Sequence, residues 1–250
     1  MFNGLPLGRK AAAGGSGLSS GMIRKYGLIL ILLLAVVVLS IVSDSFLTFT
    51  NIMNVLRQVS INGILAVGMT FVILTAGIDL SIGSMMAVAA VIAASIVSLN
   101  PQLAIVALLA GMLAGGALGG VSGTMSAKLN VAPFVATLAI MTIGRGIALL
   151  YTNGRPIIID SEPFKFLGQG YLGPIPFPVV LFVLVAVIMS VILYKTKFGR
   201  YIFAVGGNEN AANISGIRVG RVKIWVYVIN GLLAGLAGVL LASRISSGQQ

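Results

Sequence analysis

The 250-residue chain contains no cysteine and no histidine, and it has only five acidic residues. Without cysteine there are no disulfides and no thiol nucleophiles. Without histidine as well, there are no imidazole bases and none of the usual zinc ligands. The sequence also lacks a G-x-x-x-x-G-K-[ST] phosphate loop, paired carboxylates and a nucleophile set beside a base. We therefore expect no catalytic residue, no metal site and no cofactor, and any ATP-driven activity would need another polypeptide to hydrolyse ATP.

Charge is scarce: 8% of residues are charged and 58% are hydrophobic, and the mean hydropathy is +1.09. Soluble domains carry about 25% charged residues. Long charge-free runs cover 26–43, 58–78, 80–127, 166–194 and 224–243, and about 20 apolar residues suffice to cross a bilayer core. The runs do not alternate polar and apolar residues as barrel strands do. The sequence therefore predicts an all-α, polytopic membrane protein embedded in a lipid bilayer.

Seven transmembrane helices are predicted, separated by polar or Gly/Pro-rich segments. They are placed at 26–42, 59–76, 84–99, 103–125, 131–151, 178–194 and 224–242. A basic, Gly/Ser-rich tail over 1–25 is expected to be disordered, and the first span is expected to be an uncleaved anchor. An interfacial helix capped by Thr50 or Asn51 is predicted within 44–58, an extended loop over 152–177 and a basic loop over 195–223.

The basic residues predict an orientation. If the N-terminus is cytoplasmic, 11 of the 16 Lys and Arg residues fall in inner segments, as the positive-inside rule requires. This distribution accounts for the net charge of +11. No basic stripe is interleaved with exposed aromatic residues, so we expect no nucleic acid partner.

Glycines recur every four residues on two predicted spans, at Gly111, Gly115, Gly119 and Gly123 and again at Gly231 and Gly235. Small residues at this spacing let helix backbones approach closely. The contact could lie within one subunit or form the seam of a dimer, and the first interpretation is favoured.

Three polar residues at or near the spans are candidates for lining or gating a path: Asp79, Ser81 and Arg145. Asp79 could instead cap the third helix, with Ser81 and free amides close behind it, and we favour that structural role. Arg145 could equally snorkel to the interface or form a polar wall. One acidic residue near the membrane and no histidine relay disfavour an ion-driven carrier that works alone.

The loop before the seventh span predicts a short helix on the cytoplasmic side. Gly206 and Gly207 interrupt the chain, Asn208 can cap, and Gly216 can end the helix at a left-handed position. Two turns of helix are too short to be stable alone in water. This segment is therefore placed to dock into another protein, although a plain inner loop is the alternative.

Several motifs resemble the permease subunits of sugar ABC importers, most closely the ribose type. They are Gly-Ile-Asp-Leu-Ser at 77–81, Tyr-Thr-Asn-Gly-Arg-Pro at 151–156, Gly-Gly-Asn-Glu at 206–209, and the stretches 51–60, 66–70, 198–201, 215–217 and 242–247. The resemblance covers residues 44–250.

The resemblance implies the transmembrane subunit of an ATP-driven importer, with a type II ABC importer permease fold, in the bacterial inner membrane. It implies a permease homodimer or pseudo-dimer, a cytoplasmic ATP-binding subunit, an extracytoplasmic sugar-binding protein and a monosaccharide substrate, for which we expect ribose. The ATPase-coupling loop would comprise Gly206, Gly207, Asn208, Glu209, Ala211, Ala212, Ser215 and Gly216. Such a subunit forms the sugar path and is not itself an enzyme.

Members of that family continue past the point that matches Gln250. The resemblance therefore predicts that the permease domain, residues 26–250, lacks the family's last helices.

Overall fold

The computed structural model describes residues 17–249, with side chains placed from Lys25 onward. Within this range, seven helices are long and apolar enough to cross a membrane, which confirms the predicted number of spans. The first helix begins at Gly17, so the disorder predicted for residues 17–25 is wrong. The rest of the predicted tail, residues 1–16, lies outside the described residues.

The long helices are α1 (Gly17–Val42), α2 (Phe49–Leu74), α3 (Ile82–Leu99), α4 (Ala104–Lys128), α5 (Pro133–Thr152), α7 (Phe177–Lys195) and α10 (Val219–Ile245). Three shorter helices lie between them: α6 (Glu162–Gln169), α8 (Lys197–Gly207) and α9 (Glu209–Ile214). The four strands in the described part of the chain have two residues each: β1 (Ile157–Ile158), β2 (Tyr171–Leu172), β3 (Ile175–Pro176) and β4 (Ser247–Gly248).

The chain divides into two compact units at Ile52 and Met53. The first contains α1 and the start of α2, where the Asn51 amide donates to Thr48 Oγ1 over 3.3 Å. From Phe49 onward α2 continues unbroken to Leu74, because no proline or glycine interrupts it before Gly63. The separate interfacial helix predicted within 44–58 is therefore wrong, and Thr48 makes the first capping bond.

The second unit is built around α10, which packs against α3 and α4. Helix α4 runs antiparallel to α10, and its glycines allow the two backbones to come into direct contact. A Cβ added at Gly115 would lie 2.3 Å from the Gly231 carbonyl oxygen, and one added at Gly119 would lie 2.2 Å from the Tyr227 carbonyl oxygen. The glycine spacing thus produces packing within one subunit, as the sequence predicted.

Successive spans of the second unit alternate in direction, which gives the unit two ends. At one end, named the α9 end, Gly206 of α8 packs against the backbone of Leu74, which ends α2. At the opposite, α6 end, the hydroxyl of Ser161 donates to the carbonyl of Pro101 over 2.5 Å. The Ile159 amide donates to the carbonyl of Ser246 over 3.0 Å at the same end.

The extended loop predicted over 152–177 is wrong, because the α6 end is structured. Strand β1 pairs antiparallel with β4 and β2 with β3. Helix α6 begins with a capping bond from the Phe164 amide to Ser161 Oγ, at 3.3 Å. The sequence Ser161-Glu162-Pro163 is typical of a helix N-terminus, with a serine at the cap position and a proline in the first turn.

The basic loop predicted over 195–223 is helical over most of its length, beyond the one short helix predicted within it. Thr196 caps α8 through a bond from the Gly199 amide to its Oγ1, at 3.2 Å. Helix α10 begins at Val219, five residues before its predicted start at Ile224. Three helical segments therefore replace most of the predicted loop.

Candidate functional site

The predicted coupling loop corresponds to the end of α8, all of α9 and the turn that follows. Gly206 and Gly207 form the last turn of α8, so the chain breaks at Asn208 and not at the glycine pair as predicted. A Cβ on Gly206 would lie 1.8 Å from the Leu74 carbonyl oxygen. Gly206 is therefore needed as a point of backbone contact between α8 and α2.

Helix α9 has the cap and the end that its residues predict. The Ala211 amide donates to Asn208 Oδ1 over 2.9 Å. At the other end Gly216 has φ +83°, and the Ile217 amide donates to the Ala212 carbonyl over 3.1 Å. With the bond from the Gly216 amide to the Asn213 carbonyl, this is a Schellman motif. The predicted helix is confirmed, while its role in coupling stays a prediction.

Helix α9 is held by one side and otherwise exposed. Ala212 is buried in an apolar cluster formed with residues of α2, α8 and α10. Lys223 Nζ on α10 lies 2.6 Å from Glu209 Oε2. The remaining residues of α9 are exposed, and Ile214 reaches 88%. Helix α9 is therefore anchored through Ala212 and Glu209, while Ile214 stays open to its surroundings.

Asp79 lies in the turn between α2 and α3 and is almost fully buried, as is Ser81. Its Oδ1 accepts from the Ser81 amide at 2.8 Å and from the Ser81 hydroxyl at 2.5 Å. Its Oδ2 accepts from Asn230 Nδ2 of α10 at 2.8 Å. Ser81 stands at the N-cap position of α3 but makes no side-chain capping bond. Asp79 therefore holds the turn ahead of α3 and links it to α10. It accepts from the Ser81 amide before the first turn of α3, so the predicted side-chain cap of α3 is not formed.

Tyr227 and Asn230 were missed by the sequence reasoning. The Tyr227 hydroxyl donates to the carbonyl of Ile78 over 3.2 Å, one residue before Asp79. Both side chains lie on α10, about 150 residues away in sequence. The available signal was a lone asparagine within a long apolar run, since buried amides in membrane spans are normally hydrogen-bonded.

Arg145 lies seven residues before the end of α5, about 10 Å inside the span at the rise of an α-helix. It is exposed and makes no hydrogen bond or ion pair with another described residue. It lines a groove of about 280 Å³ with Leu80, Gly83, Ser84, Ala87 and Met141. The groove thus begins beside the turn that holds Asp79 and Ser81. In this conformation only Arg145 of the three reaches an open surface, and a path or gate role for the three stays a prediction.

The geometry is that of a multi-span membrane protein with a short, mostly exposed helix anchored at one end of the second unit. The chain matches the family model described as "Branched-chain amino acid transport system / permease component" over residues 51–250. The chain belongs to this family of transport permeases.

Particular relatives are closely similar. The chain is 51% identical to "Ribose import permease protein RbsC" of Bacillus subtilis over 233 residues, which cover 92% of this chain and 71% of that protein. It is 46% identical to the protein of the same name from Haemophilus influenzae, over 88% of this chain and 68% of that one. "L-arabinose transport system permease protein AraH" of Escherichia coli is 38% identical, over 90% and 68%. No solved structure matches the chain.

Proposed function

We propose that the chain is the transmembrane subunit of an ATP-driven importer that carries ribose. The observation that supports this proposal is the order of sequence identity among the chain's relatives. Permeases named for ribose import are 43–51% identical, while those named for L-arabinose transport are 38% identical. The family description names branched-chain amino acids, but these permeases are named for sugars.

The distribution of charge supports a cytoplasmic α9 end and, by alternation, a cytoplasmic N-terminus. Basic residues at the α9 end are Lys128, Lys195, Lys197, Arg200, Arg218, Arg221 and Lys223. Those at the α6 end are Arg57, Arg155, Lys165 and Arg244. Cytoplasmic segments of membrane proteins carry the excess of Lys and Arg.

The complete importer would contain a second permease, a cytoplasmic ATP-binding subunit and an extracytoplasmic sugar-binding protein. ATP hydrolysis would occur on the ATP-binding subunit, because this sequence contains no phosphate loop. The α9 end would face that subunit and the α6 end the binding protein.

Helix α9 is the proposed contact with the ATP-binding subunit. It exposes Ile214 and is joined to α10 by the ion pair between Glu209 and Lys223. The preceding helix α8 contacts the backbone of Leu74 at Gly206. A displacement of α9 would therefore be transmitted to α10 and to the α2–α3 turn that holds Asp79. In this way closure of the ATPase would move the ends of three spans.

Arg145 is the proposed polar element of the sugar path. A lipid-facing arginine near the middle of a span costs about 2.5–3.5 kcal/mol or more, so its groove is better placed against a second permease or an aqueous path. The guanidinium offers several N–H donors to sugar hydroxyls. A Cβ added at Gly83 would meet no atom within 4 Å, so the groove has room for a ligand beside Arg145.

Uptake of radiolabelled ribose tests the function. Cells that lack their own ribose importer should accumulate ribose when this chain is expressed with its ATP-binding and sugar-binding partners, and leucine uptake should not change. ATP-independent uptake by the purified chain in liposomes would instead support a carrier acting alone and contradict the proposal.

The exposed isoleucine tests the coupling surface. Ile214→Asp should reduce co-purification of the ATP-binding subunit by about tenfold, as loss of a central apolar contact does in other interfaces. The matched control is Ile158→Asp, an isoleucine that is 79% exposed at the α6 end, which should leave that association unchanged. Equal association of both variants would exclude α9 as the contact.

Arg145→Gln should lower ribose uptake while leaving membrane insertion and ATPase association intact. Arg155→Gln is the control, because Arg155 is exposed outside α5. Unchanged uptake in Arg145→Gln would remove Arg145 from the path.

A further inference from the structure

A polar cavity of about 450 Å³ lies at the α9 end, between the end of α4, helix α9 and the first turns of α10. Its cationic lining consists of Lys128, Arg218, Arg221 and Lys223. Among its described lining residues the only carboxylate is Glu209, which Lys223 already pairs at 2.6 Å. The cavity therefore holds a surplus of positive charge.

Three of these cations have no counter-charge within the described residues. The side chains of Lys128, Arg218 and Arg221 are exposed and make no hydrogen bond or ion pair there. They come from different elements, α4 and the start of α10, and converge on one space. Amide side chains of Asn130, Asn210 and Asn213 add hydrogen-bond donors to the lining. This chemistry suits a phosphate group.

Arg218 and Arg221 also border a second, mainly apolar groove of about 330 Å³. Its other lining residues include Phe198, Tyr201 and Trp225. Trp225, the chain's only tryptophan, is 58% exposed. It follows Arg218 by seven residues, about 10 Å further along α10. A basic cavity thus adjoins an aromatic groove along one helix.

We propose that this pair of cavities binds an anionic phospholipid. The phosphate occupies the basic cavity beside Lys128, Arg218 and Arg221, and the apolar part of the lipid lies along the groove at Trp225. Tryptophan and basic residues are typical of the membrane interface, and basic pockets between spans on the cytoplasmic side bind lipid headgroups. A charged head joined to an apolar body matches both cavities, whereas free phosphate matches only the first.

The proposal is independent of the transported sugar, and Trp225 supplies a direct reporter. The purified full chain is placed in phosphatidylcholine vesicles with increasing fractions of brominated phosphatidylglycerol, and in parallel with brominated phosphatidylcholine. Bromine quenches tryptophan fluorescence at short range. We expect selective quenching by the anionic lipid, with an apparent affinity that falls roughly fivefold for each basic residue removed.

The test variant replaces Lys128, Arg218 and Arg221 by glutamine. The matched control replaces Lys195, Lys197 and Arg200, three exposed cations at the same end outside the basic cavity. The test variant should lose the selectivity for phosphatidylglycerol and the control should keep it. Equal quenching by both lipids, or an equal loss in both variants, would overturn the proposal.

Two further measurements test whether free phosphate or the ATP-binding subunit occupies the basic cavity instead. Inorganic phosphate at the ionic strength of a sodium chloride control should not relieve the quenching. Relief by phosphate alone would make this a free-phosphate site and overturn the lipid assignment. Relief on addition of the ATP-binding subunit would assign the cavity to that partner and would likewise overturn it.

Discussion

The two ends of the second unit both carry short helices on the ends of α10, but these helices are held in different ways. At the α6 end, the hydroxyl of Ser243 donates to the Phe164 carbonyl at 2.6 Å and accepts from the Gly168 amide at 2.7 Å. Gln169 Nε2 donates to the carbonyls of Ser243 and Arg244 at 3.0 and 3.1 Å. Helix α6 is therefore joined to α10 by a network of hydrogen bonds, two of them buried.

At the α9 end the restraints are fewer and more exposed. The ion pair between Lys223 and Glu209 has its carboxylate side chain 55% exposed, and such pairs contribute only about 0–1 kcal/mol. Ala212 is the buried residue of α9, and three cations nearby have no partner among the described residues. The difference indicates that α6 is more firmly held against α10 than α9 is.

The largest expected effects on stability come from glycine-to-alanine substitutions, one at each end of the unit. In Gly168→Ala the new Cβ would lie 2.5 Å from the Arg244 amide nitrogen, and the bonds around it prevent α6 from moving away. We expect a loss of about 3 kcal/mol in the free energy of unfolding, at the upper end for overpacking. The loss of stability is measured by heating the purified protein in detergent and determining the fraction that remains monodisperse.

Gly206→Ala is the counterpart at the α9 end, where the Cβ would lie 1.8 Å from the Leu74 carbonyl oxygen. Because no hydrogen bond among the described residues joins α8 to α2, α8 can shift away from Leu74. We therefore expect a smaller loss of stability than in Gly168→Ala but a clear loss of transport. Gly207→Ala, with no atom within 4 Å of the new Cβ, serves as the control. A more unstable Gly206→Ala would reverse the comparison.

Removing a polar contact at each end should give a smaller difference in stability. Ser243→Ala leaves the Gly168 amide and the Phe164 carbonyl without this partner, and an unsatisfied buried group costs about 1–3 kcal/mol. Lys223→Gln removes a partly exposed ion pair and should cost less than about 1 kcal/mol. The same heating assay ranks the two. If Lys223→Gln proved the more damaging, α9 would be more firmly held than its exposure indicates.

The smallest effect is a pH dependence at the surface of the α6 end. Lys165 Nζ lies 2.9 Å from Asp160 Oδ1, and its hydrogen bond and positive charge hold the pKa of the Asp160 carboxyl below its ordinary value of 3.8. Because this pKa is lowered by folding, the contact stabilises above pH 3.8 and is lost as the pH falls through the lowered value.

Asp160→Asn should therefore melt slightly below the parent at neutral pH, and the two curves should converge in acid. A constant gap across the acid range would show that the charge contact contributes nothing. Asp160 is fully exposed, so the difference should be close to the limit of detection.

Some of the candidate site was predictable because its causes are local. The asparagine cap and the left-handed glycine of α9 lie within a nine-residue stretch, 208–216, and each acts on its own backbone. Helix α6 carries an equally local signal at Ser161, and the prediction of an extended loop overlooked it. The boundary of α2 was misplaced because a change from mixed to apolar composition does not by itself end a helix.

The sequence alone determined the number of spans, their membrane setting and the close packing of α4 on α10, because hydrophobic length and glycine spacing act through the bilayer and the helix repeat. Only the tertiary structure decided that Asp79 is bound by Asn230, that Arg145 faces an open groove and that Lys128 meets Arg218 and Arg221 in one cavity. Those relations join residues distant in sequence, and no local pattern specifies which side chains the packed helices bring together.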